Sequence, residues 1–599
     1  MRGHATDHLI DADPSARPAP APAAHARPDV PPGPGHAINL QVAFAGHNRA
    51  NDLGHRTHVT NDLDAAFELI RLTGCGHARL LTGLASGADE LAAAAWQRAG
   101  LGPIHAVFPF LDDPDAPHVG PSGVAQSATW LDGEATQAEG RNAHLKQTRL
   151  IVEIADLLVV AWTGERARGA GGTADAVRCA LELGLPVLWI KPSDPGAIRL
   201  IRPEDLPSDF DFAEFQEGLQ AGHPAHVEVA SAENLREALR LDELAARVEA
   251  DNAPEAPQNL LVRLDSWLHG WLWQTYGTFR RIVGGRVGAI PDAPPVPQDL
   301  AEQPGFQLLT AAYLKADLNA NRLSAVHRSE QLLLIMAMIT AAIVGSSPAV
   351  WPQFKLTAVS VELVLGVAAL WVWSKAARAR QHQRWGEERH LAEQLRQERA
   401  GWALGVSVAS TRITPASRQD RDLGREARLA AGLPHGKFDA GRIKRWGDWA
   451  MHELIDGQSA YHSVISVRDG KIAHRIHVVE DASFLFLLVA LGGYLVAYAG
   501  LGAFGGHLPK WVSGIVTMAG TIIPAMAAAA MALEAKLEFK EQSKRSERIA
   551  AHLDELARRL DRAPSFSRLQ GAARAAMQWH IAEASQWREG AERRRLFRP

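Results

Sequence analysis

The stretch Ala78-Arg-Leu-Leu-Thr-Gly-Leu-Ala-Ser-Gly-Ala-Asp89 decides the fold. Ala78–Leu81 is an apolar, strand-like run, and a helix follows over Ala88–Arg98. Between them Gly83 and Gly87 permit a tight turn with the backbone open to a ligand. The first N–H groups of the helix have no intrahelical partner, and its dipole turns a positive end toward the turn. Such a junction suits a phosphate, and Ser86 adds a hydroxyl donor. A glycine at a strand–helix turn is often geometry alone, so the flanking sequence has to carry the reading.

Working outward, residues 38–192 alternate between the two periods. Ile38–Ala45 reads as a strand and Asn61–Leu72 as a helix. His105–Phe108 is a further strand, followed by a long polar loop and a helix near Asn142–Ile154. The strand Leu157–Trp162, the helix Thr173–Leu183 and the strand Pro186–Ile190 complete the set. Strands separated by helices predict a parallel sheet covered on both faces, with ligands at the carboxyl ends of the strands. A second glycine-rich turn, Gly169-Ala-Gly-Gly-Thr-Ala-Asp175, repeats the arrangement of the first. Two such turns on one sheet can converge on one ligand. The expected ligand-binding residues are Gly83, Ser86, Gly87 and Asp89 in the first turn, with Gly171, Gly172, Thr173 and Asp175 in the second. Gly46, His47 and Arg49 stand at the end of the first strand. Arg49 is either a phosphate or base contact or a solvated loop residue. No catalytic residue is assigned.

The C-terminal half is of another kind. Four apolar runs lie at about 331–349, 354–374, 483–503 and 512–533. About 20 residues at 1.5 Å each cover the ~30 Å hydrocarbon core of a bilayer. The runs pair into two hairpins through short loops, Ser346–Gln353 and Gly505–Trp511. Basic residues crowd the open ends: Arg328, Lys375, Arg378, Arg380, Arg384, Arg468, Lys471, Arg475, Lys536, Lys540, Lys544 and Arg545. The connecting loops hold only Lys510. Basic flanks face the cytoplasm. The expected topology therefore has both termini and the sheet domain cytoplasmic, with two free cysteines, Cys75 and Cys179.

Each hairpin ends in a charged helical run, Glu387–Arg399 and Glu547–Asp561, which suggests a degenerate repeat of about 150 residues. Glu362 is the one carboxylate inside a span, a pore or gate candidate or a protonated acid bonded to a neighbouring helix. The fourth run carries small residues from Ser513 to Ala532, a face for close helix packing, with Pro524 as a kink. Trp267, Trp271, Trp273, Tyr276 and Phe279, set among arginines, read either as an interfacial helix or as one packed on its own domain.

The ordered set Gly46-His47, Thr82-Gly-Leu-Ala-Ser-Gly-Ala-Asp89, Val107-Phe-Pro-Phe110, Asp156-Leu-Leu-Val-Val-Ala-Trp162 and Gly171-Gly-Thr173 resembles the SLOG superfamily. That group includes the cytokinin-activating Lonely Guy enzymes, the DNA-processing protein A and nucleotide-sensing domains of bacterial defence systems. The likeness covers about 38–192. It implies a Rossmann-like sheet that cradles a nucleotide, such as ADP-ribose or an NAD derivative. Lonely Guy enzymes carry Pro-Gly-Gly-x-Gly-Thr-x-x-Glu. The matching stretch here is Gly169-Ala-Gly-Gly-Thr-Ala-Asp-Ala-Val177, without that Glu. The hairpins with charged flanking helices resemble SLATT effector domains, in which membrane hairpins are thought to assemble into pores on nucleotide detection.

With 599 residues, the chain has room for about four units. Sixty-three basic against 67 acidic residues exclude a general polyanion trap, and two cysteines exclude a disulfide framework or a Cys-rich metal centre. The expected fold is an α/β Rossmann-like parallel sheet domain in the cytoplasm followed by an α-helical four-transmembrane region. The expected division is a disordered tail at 1–37, the sheet domain at 38–192, and an acidic linker with amphipathic helices at 193–304. The first hairpin with its flanking helices follows at 305–400, a linker at 401–455, the second hairpin at 456–565, and a basic helix at 566–599. The expected function is a nucleotide-sensing membrane effector, an oligomeric ligand-gated pore of the inner membrane in a defence or stress-signalling system. The alternative is a membrane-tethered nucleotide hydrolase of the phosphoribohydrolase kind. Expected partners are the bilayer, a nucleotide and further copies of the chain, with no nucleic acid, no metal and no required cofactor.

Overall fold

The structure, a computed structural model, describes residues 39–47, 56–112, 119–120, 123–132, 137–167, 169–207, 210–221, 226–243, 275–285, 288, 291–378, 381–407, 425–503, 508–559 and 566–595. The N-terminal tail, Arg49, Trp267, Trp271 and Trp273 lie outside the described residues.

The sheet domain contains β1 (Asn39–Gly46), α1 (Arg56–Leu72), β2 (His77–Thr82), α2 (Ala88–Ala99), β3 (Ile104–Phe108), β4 (Ser127–Trp130), α3 (Gln137–Ile154), β5 (Leu157–Ala161), α4 (Thr173–Glu182) and β6 (Val187–Ile190). Then come β7 (Ile198–Ile201), α5 (Phe212–Gln220), β8 (Val227–Val229) and α6 (Ala232–Ala238). With the short strand β9 (Gly436–Lys437) from later in the chain, the strand order is β8-β7-β6-β5-β1-β2-β3-β4-β9. Strands β6 to β4 run parallel, as expected from the alternation with helices. At the other edge β7 and β8 add antiparallel, so the sheet is mixed. These two strands fall in the stretch expected as an acidic linker, and β4 falls in the expected polar loop.

Period-two alternation sorts the strands between two cores. Leu40, Val42, Phe44, Leu157, Val159 and Ala161 point to the face covered by α1, α2 and α6. Ala43, Leu158, Val160 and Trp162 point to the other face, under α3 and α4. That second core does not end with the domain. It runs on through Phe306, Tyr313, Trp402, Phe438, Trp446, Trp449 and Met577, all of them buried.

The helical region begins with α7 (Pro304–Ser346), α8 (Lys355–Arg378) and α9 (Gln381–Trp402). After α10 (Arg425–Ala431), the short strand β9 (Gly436–Lys437) and α11 (Ala440–Met451) come α12 (Gly457–Ala503), α13 (Lys510–Leu537), α14 (Phe539–Arg559) and α15 (Phe566–Arg595). The stretch 401–455, expected as a linker, is corrected. Its strand β9 pairs in parallel with β4 and closes the sheet, while Phe438 N–H donates to Trp130 O at 2.8 Å. Gln41 Nε2 donates to Leu429 O at 2.6 Å. The aromatic residues of the stretch are spread among polar ones, so only docking on the sheet reveals them as core.

Helices α7, α8, α12 and α13 are long and apolar enough to cross a membrane. With 43 and 47 residues, α7 and α12 extend about 65 and 70 Å, twice the hydrocarbon thickness. Each is one limb of a three-helix unit. In the first unit α8 and α9 return along α7; in the second α13 and α14 return along α12. The two units are thus built to one plan, as the repeat in the sequence suggested.

The units meet in the span region. A Cβ on Gly514 of α13 would lie 2.3 Å from Ala349 O, so that glycine lets two backbones touch. Gly493 of α12 meets nothing within 4 Å among the described residues. Of the aromatic segment, Tyr276 is buried. Its N–H donates to Ser329 Oγ at 3.1 Å, and Phe279 packs on Phe539, so this part is docked on the helices.

Candidate functional site at the carboxyl edge of the sheet

Strand β1 has β2 on one side and β5 on the other, and the chain reverses its direction of travel across the sheet there. In open α/β sheets ligands bind outside the strand ends at such a switch point. The ends of β1 and β5 are tied together across it. Thr163 N–H donates to His47 Nε2 at 3.2 Å, and Thr163 Oγ1 lies 3.3 Å from the same atom. His47 O accepts from Ala88 N–H, the first residue of α2, at 3.1 Å. Gly46 is required by this crowding, since a Cβ there would stand 2.3 Å from Ala88 Cβ.

Both glycine turns are built by one device. In the first, the Asp89 carboxylate turns back on its own loop, accepting from Thr82 Oγ1 at 3.1 Å and from Ala85 N–H at 3.3 Å. Burial pushes the Asp89 carboxyl up to about 7, against the opposing pull of those hydrogen bonds. In the second, Asp175 accepts from Gly171 N–H at 2.9 Å and from Arg178 Nη2 at 2.8 Å. Both aspartates therefore shape the loops that would meet a ligand. Leu84 at φ +49° and Gly87 at φ +108° give the first loop its tight course. Ser86 is exposed and has no partner among the described residues. Gly172 precedes α4 as its N-cap, and Thr173, the first residue of that helix, is nearly buried.

The sequence places helix α3 but not its role, which is to join the two turns. Gln147 of α3 lies against Gly83, where a Cβ would be 2.6 Å from Gln147 Nε2, and that nitrogen also donates to Val107 O at 2.6 Å. The next residue, Thr148, donates to Gly171 O at 2.8 Å. Gly171, at φ +83°, packs so closely on α3 that a Cβ would lie 2.4 Å from the His144 carbonyl carbon. Gln147 and Thr148 had no signal of their own, being two polar residues on an amphipathic helix. The nearby cation Lys146 is paired with Asp132 at 3.2 Å.

Two helix N-termini and an exposed hydroxyl at one sheet edge can hold an anion. Among the described residues no group of His, Cys, Asp and Glu is placed to hold a metal ion. The two cysteines are free, and burial pushes both thiols up, Cys179 to about 12. Neither is an activated nucleophile.

Glu362 is distant from this edge. Its carboxylate oxygens lie 3.0 and 3.1 Å from where a Gly345 Cβ would fall, beside the last turn of α7. The side chain thus reaches from within α8 across to the last turn of α7.

No family model, no curated protein and no solved structure matches this chain.

Proposed function

We propose that the chain is a nucleotide-sensing membrane effector. A phosphorylated nucleotide of the ADP-ribose or NAD-derived kind binds at the carboxyl edge of the SLOG-like sheet. Binding then changes how the SLATT-like hairpins associate, and a homo-oligomeric pore opens. The basic span flanks support an inner-membrane topology with the sheet domain and both termini in the cytoplasm.

One observation carries this reading. Helix α3 touches both glycine turns through Gln147 and Thr148, and within two turns it touches the helical region. Leu150 packs on Gly405, and Glu153 pairs with Arg574 of α15 at 2.9 Å. Six residues, about 9 Å of helix, separate the ligand loops from a partly buried ion pair with the membrane-bearing part. A shift of α3 on ligand binding has a short, rigid path to the hairpins.

The test is ion flux from liposomes holding the full chain, with AMP, NAD, ADP-ribose and its cyclic forms. Ser86→Asp places a negative charge on an exposed loop and should abolish nucleotide binding and flux together. Glu153→Gln should leave binding intact and weaken the flux response. Nucleotide binding with no flux under any ligand would remove the effector reading. Product formed from the nucleotide would move the assignment to the tethered hydrolase.

A further inference from the structure

A cavity of about 210 Å³ lies in the helical neck, between the two three-helix units. It is lined by α9 of the first unit, α12 and α14 of the second, α15, and Arg328 of α7. Its charges are unevenly paired. Arg545 grips Glu583 with two guanidinium nitrogens. Arg389 and Arg396 share the one carboxylate of Glu393, with Arg396 Nη2 at 2.7 Å. Burial alone would raise the Glu393 carboxyl, but Arg396 and Arg389 overcome it and hold it well below the usual range. Arg389 also reaches Asp317, just outside the lining, at 3.6 Å.

Arg328 has no carboxylate partner among the described residues. It donates to the Tyr276 hydroxyl at 2.9 Å and lies over the Tyr276 and Trp385 rings. Arg396 is 7% exposed, and its Nε–H is buried with no hydrogen-bond partner. Counting Asp317, four guanidinium groups face three carboxylates. The surplus cation, Arg328, is half-buried, and the unmet donor is on the buried Arg396; both are costly, and an entering anion relieves both costs.

We infer that this neck cavity is a binding site for a phosphate-bearing anion, with Arg396 Nε–H as its unmet donor and Arg328 as its cation without a carboxylate. Guanidinium groups suit phosphate oxygens. The volume falls below the ~300–1,000 Å³ of ordinary small-molecule pockets, so the site takes a phosphate or the phosphorylated end of a larger molecule. That phosphate has two sources, a soluble metabolite or a lipid headgroup, since Arg328 stands three residues before the first apolar run. Helix α15 gives the site consequences. It supplies His580 and Glu583 to the cavity and, less than three turns earlier, Arg574 to the pair with Glu153. An anion in the neck thus bears on the helix that fastens the sheet domain. None of this depends on a nucleotide binding at the sheet edge.

The experiment titrates inorganic phosphate into the full chain in phosphatidylcholine nanodiscs by calorimetry, and repeats it in discs containing phosphatidylglycerol. Arg396→Gln should weaken binding at least about tenfold, whereas Glu393→Gln, which removes the competing carboxylate, should tighten it by a similar factor. A misfolded variant would not bind more tightly, so the second variant guards the first. Equal binding in the two discs assigns the site to a soluble phosphate. Loss of binding in phosphatidylglycerol discs, restored by Arg396→Gln to the weak level of that variant in neutral discs, assigns it to a lipid phosphate. Absence of phosphate binding in neutral discs, or binding that neither variant changes, overturns the inference.

Discussion

Replacing Asp89 by asparagine tests whether this aspartate is scaffolding for the first glycine turn. Its carboxyl is held at about 7 against an ordinary value of 3.8, because burial penalises the charge more than Thr82 and Ala85 stabilise it. A folded pKa above the unfolded one means the folded state binds the proton more readily. The contribution is therefore fully present below about pH 4 and is lost as pH rises through about 7. Three pH units correspond to at most about 4 kcal/mol between the two ends of that window. The asparagine side chain keeps a carbonyl to accept from Thr82 Oγ1 and Ala85 N–H and carries no charge. Hydrogen exchange of residues 82–100, read by mass spectrometry in the full chain, reports local opening of this loop and α2. At pH 8 Asp89→Asn should slow exchange relative to the parent, and at pH 5 the two should be alike. Faster exchange in the variant at pH 8 would refute the reasoning, because the ionised carboxylate would then be a net support of the loop.

Further expectations follow from single contacts. Gly514→Leu would drive a side chain into the Ala349 backbone, and cross-linking between α7 and α13 should fall. Arg399, 5% exposed, pairs with Glu453 at 2.5 Å and lies over the Tyr313 ring at 4.8 Å. Arg399→Met leaves Glu453 buried without its partner and should destabilise the helical region by about 3 kcal/mol, measured by denaturant titration in detergent. Gly171→Ala meets both a positive φ and the His144 carbonyl, and should loosen α3 enough to raise its hydrogen exchange.

Much of this architecture was legible because it is local. Strand β5 is five apolar residues in a row, which only a doubly covered strand tolerates, and α13 and α8 are apolar over a bilayer's thickness. The turns at Gly83 and Gly171 announce themselves by composition. By contrast, β7, β8 and β9 have four, three and two residues, too short for periodicity to register. Trp402, Trp446 and Trp449 are scattered through a polar segment, and burial against a distant sheet face leaves no period in the sequence to mark them as core.

The candidate site divides along the same line. The amino-acid order by itself determined which strand ends carry glycine turns and which helices are long and apolar enough to cross a membrane, since backbone freedom and hydrophobic length are properties of neighbouring residues. Only the tertiary structure decided that Asp89 and Asp175 turn inward to hold their loops, that α3 joins those loops to α15 through Glu153 and Arg574, and that four arginines from three helices share a cavity. Those relations depend on residues far apart in the chain meeting in a water-poor interior. There the cost of an unpaired charge or donor, negligible along an extended chain, selects the partner.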